Sequence, residues 1–173
     1  TDHPNVGWII VITHASQIDH LLLQSNQYTL NWIAEESTTL LLGMATRFYD
    51  VNEAHIDTVG PKTRYQRLLS SLFPSIVEIK VEEKAEDKFP AVAAASVLAK
   101  HFRDQIQSLP RHHFGNETAE KRRELIEHCG SFGSGYPGDD DTVKWLDTIE
   151  QHSTTYPPTV RRSWTTIQKR LVK

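Results

Sequence analysis

Hydrophobic positions along this chain recur with two periods, two and about 3.6, and their order predicts an α/β layer arrangement. The short run at 6–12, rich in Trp, Ile and Val, reads as a buried strand. Asn31 stands where it can cap a helix whose apolar residues Ile33, Leu40, Leu41, Met44 and Phe48 fall roughly on one face. Residues 49–53 read as a turn and 54–59 as a short strand, broken by Gly60-Pro61; Pro61 suits the first position of a helix running to about Phe73. In 76–83, Val77, Ile79 and Val81 alternate with Glu78, Lys80 and Glu82, the period of a half-buried strand. After Pro90, the alanine-rich stretch 91–106, with Val92, Val97 and Phe102, predicts a close-packed helix whose small residues admit a near neighbour.

Beyond Leu109 the pattern changes. Residues 112–116 read as a loop, 117–128 as a charged helix, 130–141 as a glycine-rich turn region, and 142–151 and 159–171 as short helices. No internal repeat or low-complexity linker interrupts the chain. The expectation is an α/β core over 1–108 followed by a helical region over 109–173 packed on it.

With 173 residues, 38% hydrophobic and 24% charged, the chain can bury a real core and is neither disordered nor fibrous in composition. Its longest apolar runs fall far short of a membrane span, and Thr1-Asp2-His3-Pro4 lacks the marks of a signal peptide, so neither membrane nor leader is expected. A single cysteine, Cys129, excludes an intrachain disulfide and fits a reducing compartment. The net charge of −3 does not announce a nucleic-acid binder. Yet 161–173 holds Arg161, Arg162, Lys169, Arg170 and Lys173 and no acid, which suits either a phosphate footprint or a solvated helix face.

Three features can carry chemistry. Asp57 ends a predicted strand, where open α/β sheets gather catalytic groups, although a lone acid there is more often a turn residue. Glu86-Asp87 follows the next strand and precedes the alanine-rich helix, whose N-terminus favours acids on its own account. Strand ends joined by one helix-strand unit lie on neighbouring strands, so these carboxylates would stand near each other, and hard oxygen donors so placed suit magnesium or manganese. The third is Gly133-Ser134-Gly135-Tyr136-Pro137-Gly138, which can cradle a phosphate, present Tyr136 as a flat platform, or be a plain surface turn. The nine histidines show no recognisable zinc spacing and read mostly as surface residues. No dinucleotide-binding or P-loop glycine pattern is present.

In one order, Asp57-Thr58-Val59-Gly60 with Tyr65-Gln66, Lys84-Ala85-Glu86 through Ala94-Ala95-Ser96-Val97-Leu98-Ala99-Lys100, Gly133-Ser134-Gly135-Tyr136-Pro137 and Val160-Arg161-Arg162-Ser163-Trp164 resemble type 2 ribonuclease H, and in the form of the first motif its eukaryotic catalytic subunit. The resemblance runs from about Gly7 to Leu171. It implies a ribonuclease H-like fold, a mixed sheet flanked by helices with a helical C-terminal extension.

The same resemblance implies an endonuclease that cuts RNA in RNA/DNA hybrids, and single ribonucleotides embedded in duplex DNA, with two Mg2+ or Mn2+ ions held by four carboxylates. One ion orients the attacking water and the other stabilises the departing 3′ oxygen. Asp57 matches the third carboxylate and Glu86 the fourth, usually Asp in the family, with Asp87 the alternative ligand. Tyr136 matches the residue beside the sugar at the RNA-to-DNA junction, where the 2′-hydroxyl is read. Asn31, Lys100 and Arg103 match positions near phosphate, each equally readable as a helix cap or a solvated charge. The family's first two carboxylates come from an Asp-Glu-Ala-Gly-Arg-Gly segment without a counterpart here, so these residues alone are expected not to cleave efficiently. The competing expectation is a degenerate copy serving as a structural or nucleic-acid-binding component of a larger assembly. The resemblance further implies a nuclear location and two accessory protein subunits, whereas archaeal members act alone.

Overall fold

The structure is a computed structural model describing residues 6–24, 27–108, 118–130, 133, 138–152, 156–157 and 160–172. In chain order it holds α1 (Ala15–Gln24), α2 (Leu30–Phe48), β1 (Glu53–Asp57), α3 (Lys62–Leu72), β2 (Glu78–Glu82), a 3₁₀ turn (Ala85–Asp87), α4 (Pro90–Ser108), α5 (Ala119–Cys129), α6 (Asp140–His152) and α7 (Thr165–Leu171). The chain forms two compact units, 1–12 with 26–99 and 13–25 with 100–173, the division falling within α4 after Ala99. No helix among the described residues is long and apolar enough to cross a membrane.

In the first unit β1 and β2 run parallel, with Ala54 opposite Ile79 and Asp57 opposite Glu82. Parallel neighbours need a crossover, which α3 supplies. Tyr65 and Leu69, one turn apart on α3, pack with Ala54, Ile76, Ile79 and Val81 into the core of this unit. Gln66 Nε2 donates to the Ile79 carbonyl at 2.9 Å and fixes α3 along β2. Ile79 and Val81 are buried as their alternation predicts, but Val77 precedes the ladder and is 83% exposed.

Four expectations are corrected here. The N-cap of α2 is Thr29, whose hydroxyl accepts from Trp32 N–H at 3.1 Å, and Asn31 sits inside the first turn because Thr29 has already satisfied that free donor. Of the apolar face assigned to α2 only Ile33 is buried, while Leu40 and Phe48 are exposed. Residues 6–12 form no ladder with any described strand, and Val6, Trp8 and Ile12 stay exposed: apolar composition proposes a strand but cannot supply its partner. The alanine-rich helix is likewise not close-packed. No described residue of α4 is buried, since Ala91, Ala94, Ala95, Leu98 and Ala99 face residues 6–11 and Leu41 across a cavity of about 480 Å³.

In the second unit Leu125 and Cys129 of α5 pack with Trp145, Leu146 and Ile149 of α6, with Ile167 of α7, and with Tyr156 and Val160 between those helices. Helix α1 begins where His14 N–H donates to Gln17 Oε1 at 2.9 Å, half of a capping box. Its Asp19 is buried and accepts from the backbone N–H groups of Arg162 at 2.6 Å and Ser163 at 2.8 Å. That contact explains why the helix expected over 159–171 starts only at Thr165. The N–H groups of 162 and 163 point at a carboxylate instead of along a helix axis.

Candidate active site

Asp57 is the last residue of β1, at the carboxyl end of the sheet, and is exposed. Beyond β2 the chain turns back through Lys84, held in the left-handed region at φ 51°, a conformation that costs a side-chain-bearing residue about 1 kcal/mol. What holds the turn is Asp57 itself: its Oδ1 accepts from the Ala85 N–H at 3.1 Å, and Ala85 is fully buried. Glu86 and Asp87 follow directly on the 3₁₀ turn, both exposed. The far end of the turn is fixed where Phe89 stacks on His55 of β1, centroids 3.9 Å apart. Asp57 and the Glu86-Asp87 pair are therefore brought to one end of the two-stranded sheet.

The segment after Asp57 is equally constrained. Thr58 N–H donates to the Glu82 carbonyl at 3.0 Å, and the Thr58 hydroxyl donates to the Gly60 carbonyl at 2.7 Å. A Cβ on Gly60 would lie 3.6 Å from Asn31 Nδ2 and 3.9 Å from Glu35 Oε1, so the first turns of α2 border this segment. Buried Glu35 takes a two-pronged contact from Arg64, Nη1 to Oε1 at 2.6 Å and Nη2 to Oε2 at 3.1 Å. The Glu35 hydrogen bond, reinforced by its charge, raises the Arg64 pKa above its ordinary value.

Sequence reasoning missed the group opposite Asp57. Glu82 receives Lys62 Nζ on one oxygen at 2.5 Å and Lys88 Nζ on the other at 2.7 Å. Hydrogen bonds from Lys62, then Lys88, lower its pKa from 4.5 to about 2. In the unfolded chain this acid titrates near its ordinary value. The stabilisation is thus complete above about 4.5 and is lost as pH falls through the folded value. We expect the Glu82 carboxyl resonance to titrate with a midpoint near 2 and Glu82→Gln to remove that part of the acid sensitivity. A midpoint at the ordinary carboxylate value would refute the bridge. The gain is modest, because both lysines are close to half exposed and water screens them.

Of the remaining sequence candidates, Lys100 and Arg103 are exposed on the part of α4 that belongs to the second unit. Arg103 is engaged with its neighbour Asp104 at 2.8 Å. Tyr136 and most of its glycine-rich loop lie outside the described residues. Asp57 and Glu86 present exposed carboxylates of the type that magnesium and manganese accept. One Asp57 oxygen is already engaged by Ala85, and no group of three or more His, Cys, Asp or Glu able to hold a metal forms among the described residues. By donor chemistry the pair fits part of a divalent-cation site and not a whole two-ion site.

The sequence profile of the family described as Ribonuclease HII matches residues 10–167. The chain belongs to the ribonuclease HII family. It is 33% identical to a ribonuclease H2 subunit of Arabidopsis thaliana, over 94% of this chain and 52% of that one. To the corresponding human ribonuclease H2 subunit it is 34% identical, over 97% of this chain and 53% of that one. The chain thus spans about half the length of the curated relatives it matches. Two solved structures are similar in fold. The ribonuclease H2 of Pyrococcus horikoshii gives a TM-score of 0.62 at 25% identity, over 92% of this chain and 65% of that one. A ribonuclease HII from Archaeoglobus fulgidus, solved in complex with PCNA, gives 0.61 at 27%, over 88% and 64%. The type 2 ribonuclease H assignment made on the motifs is correct, and the architecture it implied is present: parallel strands flanked by helices, then a helical C-terminal region.

Proposed function

We propose that this chain is the ribonuclease H-like, nucleic-acid-binding part of a larger assembly, one that holds RNA/DNA hybrid and ribonucleotide-containing DNA without cutting it unaided. The observation that supports the reading is the Asp57–Ala85 hydrogen bond, which ties Asp57 to the turn carrying Glu86, while no group of three or more potential metal ligands forms among the described residues. In this reading Asp57 and Glu86, or Asp87 in its place, contribute half of a site for two Mg2+ or Mn2+ ions. Bound there, the ions supply water activation and stabilisation of the departing 3′ oxygen. The chain's own work is positional. Asp57 fixes the turn that presents Glu86, Asn31 borders the strand end, and Lys100, Arg103 and Tyr136 contact phosphate and sugar. The organisation proposed with it is a core over 1–108 and a helical region over 109–173, working in the nucleus beside two accessory subunits.

A second reading, a competent endoribonuclease, is favoured by the same pair of strand-end carboxylates and by the family match over most of the chain. It requires two further carboxylates beyond those described.

The test uses the 173-residue chain, a labelled RNA/DNA hybrid, and a DNA duplex with one ribonucleotide, with magnesium present. Binding that prefers the hybrid over plain DNA, weakens linearly with log salt and leaves the strands intact is the expected result. Cleavage by the chain alone replaces the first reading with the second. Absence of any preference for the hybrid overturns both.

A further inference from the structure

Glu53, His55 and Asp57 alternate along β1 with Ala54, which is buried in the core that α3 covers, so their side chains share the opposite face of the sheet. Two of the three reach the segment that follows β2. Asp57 Oδ1 accepts from the Ala85 N–H at 3.1 Å, and the His55 ring lies on the Phe89 ring, centroids 3.9 Å apart and planes 14° from parallel. Glu53 steadies the imidazole: its Oε1 lies 2.7 Å from His55 Nε2 and 2.9 Å from Lys80 Nζ of β2.

Ala85 and Phe89 bound one short segment, and Glu86 and Asp87 lie between them. Within it the Lys88 and Phe89 N–H groups donate to the Ala85 carbonyl at 3.1 and 2.9 Å. Phe89 also begins α4, its carbonyl accepting from the Val92 and Ala93 N–H groups at 3.0 and 3.1 Å. The acids are therefore bracketed by two contacts to β1, a hydrogen bond before them and a ring stack after them. Lys88 adds an ion pair with Glu82, but through a long, flexible and nearly half-exposed stem that constrains the backbone little. The ring contact is the rigid one, because a stacked aromatic pair fixes two planes and contributes beyond the area it buries.

We propose that the His55–Phe89 stack is a positioning contact for the strand-end carboxylates: with the Asp57–Ala85 bond it clamps the turn at both ends and sets how Glu86 and Asp87 are presented to a divalent cation. The inference rests on the reading that Asp57 and Glu86 contribute to such a site, and it gives His55 and Phe89 a role that no motif assigned them. His55 touches no cation; it acts through the turn. A flat ring of another kind at position 55 does the same, and a small side chain does not.

The experiment follows native-state amide exchange by NMR in the 173-residue chain, alongside manganese affinity read from the resonance signal of the free ion. In His55→Ala the Ala85 and Phe89 amides are expected to exchange roughly two- to tenfold faster, the range that loss of an aromatic pair corresponds to. The Thr58 amide, bonded to the Glu82 carbonyl at the same end of the sheet, keeps its rate. Manganese affinity falls over the same range. His55→Phe keeps the ring without the Glu53 contact and brings both measurements back to within about twofold of the parent; Phe89→Ala repeats the loss. Acceleration shared equally by Thr58 is a general loosening of the unit and overturns the proposal. So does exchange in His55→Ala equal to that of the parent, or manganese affinity unchanged in His55→Ala where Asp57→Asn weakens it. Failure of the underlying reading has a different signature: Asp57→Asn then binds manganese as tightly as the parent, and the clamp itself stands or falls on the exchange result.

Discussion

Asp57→Asn is expected to weaken manganese binding by the chain about tenfold or more while leaving the urea-unfolding midpoint in place. The split follows from the two oxygens of this side chain. One accepts the Ala85 N–H at 3.1 Å, a contact that an asparagine carbonyl reproduces. The charge is what a hard cation needs, and an amide lacks it. Asp57→Ala should lose both, adding about 1 kcal/mol of destabilisation for the missing hydrogen bond to the Ala85 N–H. Free manganese, followed by its paramagnetic resonance signal, reads the first effect and urea titration the second. If an assembly that cleaves carries the same substitution, losing several kcal/mol of electrostatic stabilisation corresponds to roughly a thousandfold lower rate. Equal manganese affinity in Asp57→Asn and the parent would remove Asp57 from any cation site.

The meeting of Asp57 with the turn that carries Glu86 was legible because their spacing contains one helix and one strand. A short crossover of that kind forces parallel neighbours and sets both strand ends side by side. The Lys62–Glu82–Lys88 bridge was not legible: counting back from the expected strand ends, 59 and 83, pairs Asp57 with Val81, and only the observed register puts Glu82 opposite it, because hydrophobic alternation fixes a strand to within a residue or two. Asn31 was misread as a cap because Thr29, two residues earlier, is an equally good capping residue and the pattern of apolar positions does not choose between them. Residues 6–12 and the alanines of α4 erred in one direction. Composition reports what a segment would gain by burial, and burial needs a partner that these described residues do not provide.

Removing the Asp19 carboxylate is expected to cost the second unit about 3 kcal/mol in Asp19→Ala if each charge-assisted bond contributes at the low end of its usual range. Two backbone donors, Arg162 N–H and Ser163 N–H, converge on this one buried side chain from 143 and 144 residues along the chain. Neither belongs to α7, which starts at Thr165, so no helical carbonyl replaces the lost acceptor. The charge matters as well: burial lowers the Arg161 pKa, and the nearby Asp19 opposes that shift. Asp19→Asn should therefore fall between the two, since an amide offers one acceptor and turns a donor toward donors. Urea unfolding followed by tryptophan fluorescence is suitable, because Trp145 is buried in the same core and Trp164 packs against it. A midpoint for Asp19→Ala indistinguishable from the parent would mean that water serves these two N–H groups as well as the carboxylate does, and that the turn at 161–163 is held by its other contacts, such as the bond from Gln168 Nε2 to the Arg162 carbonyl.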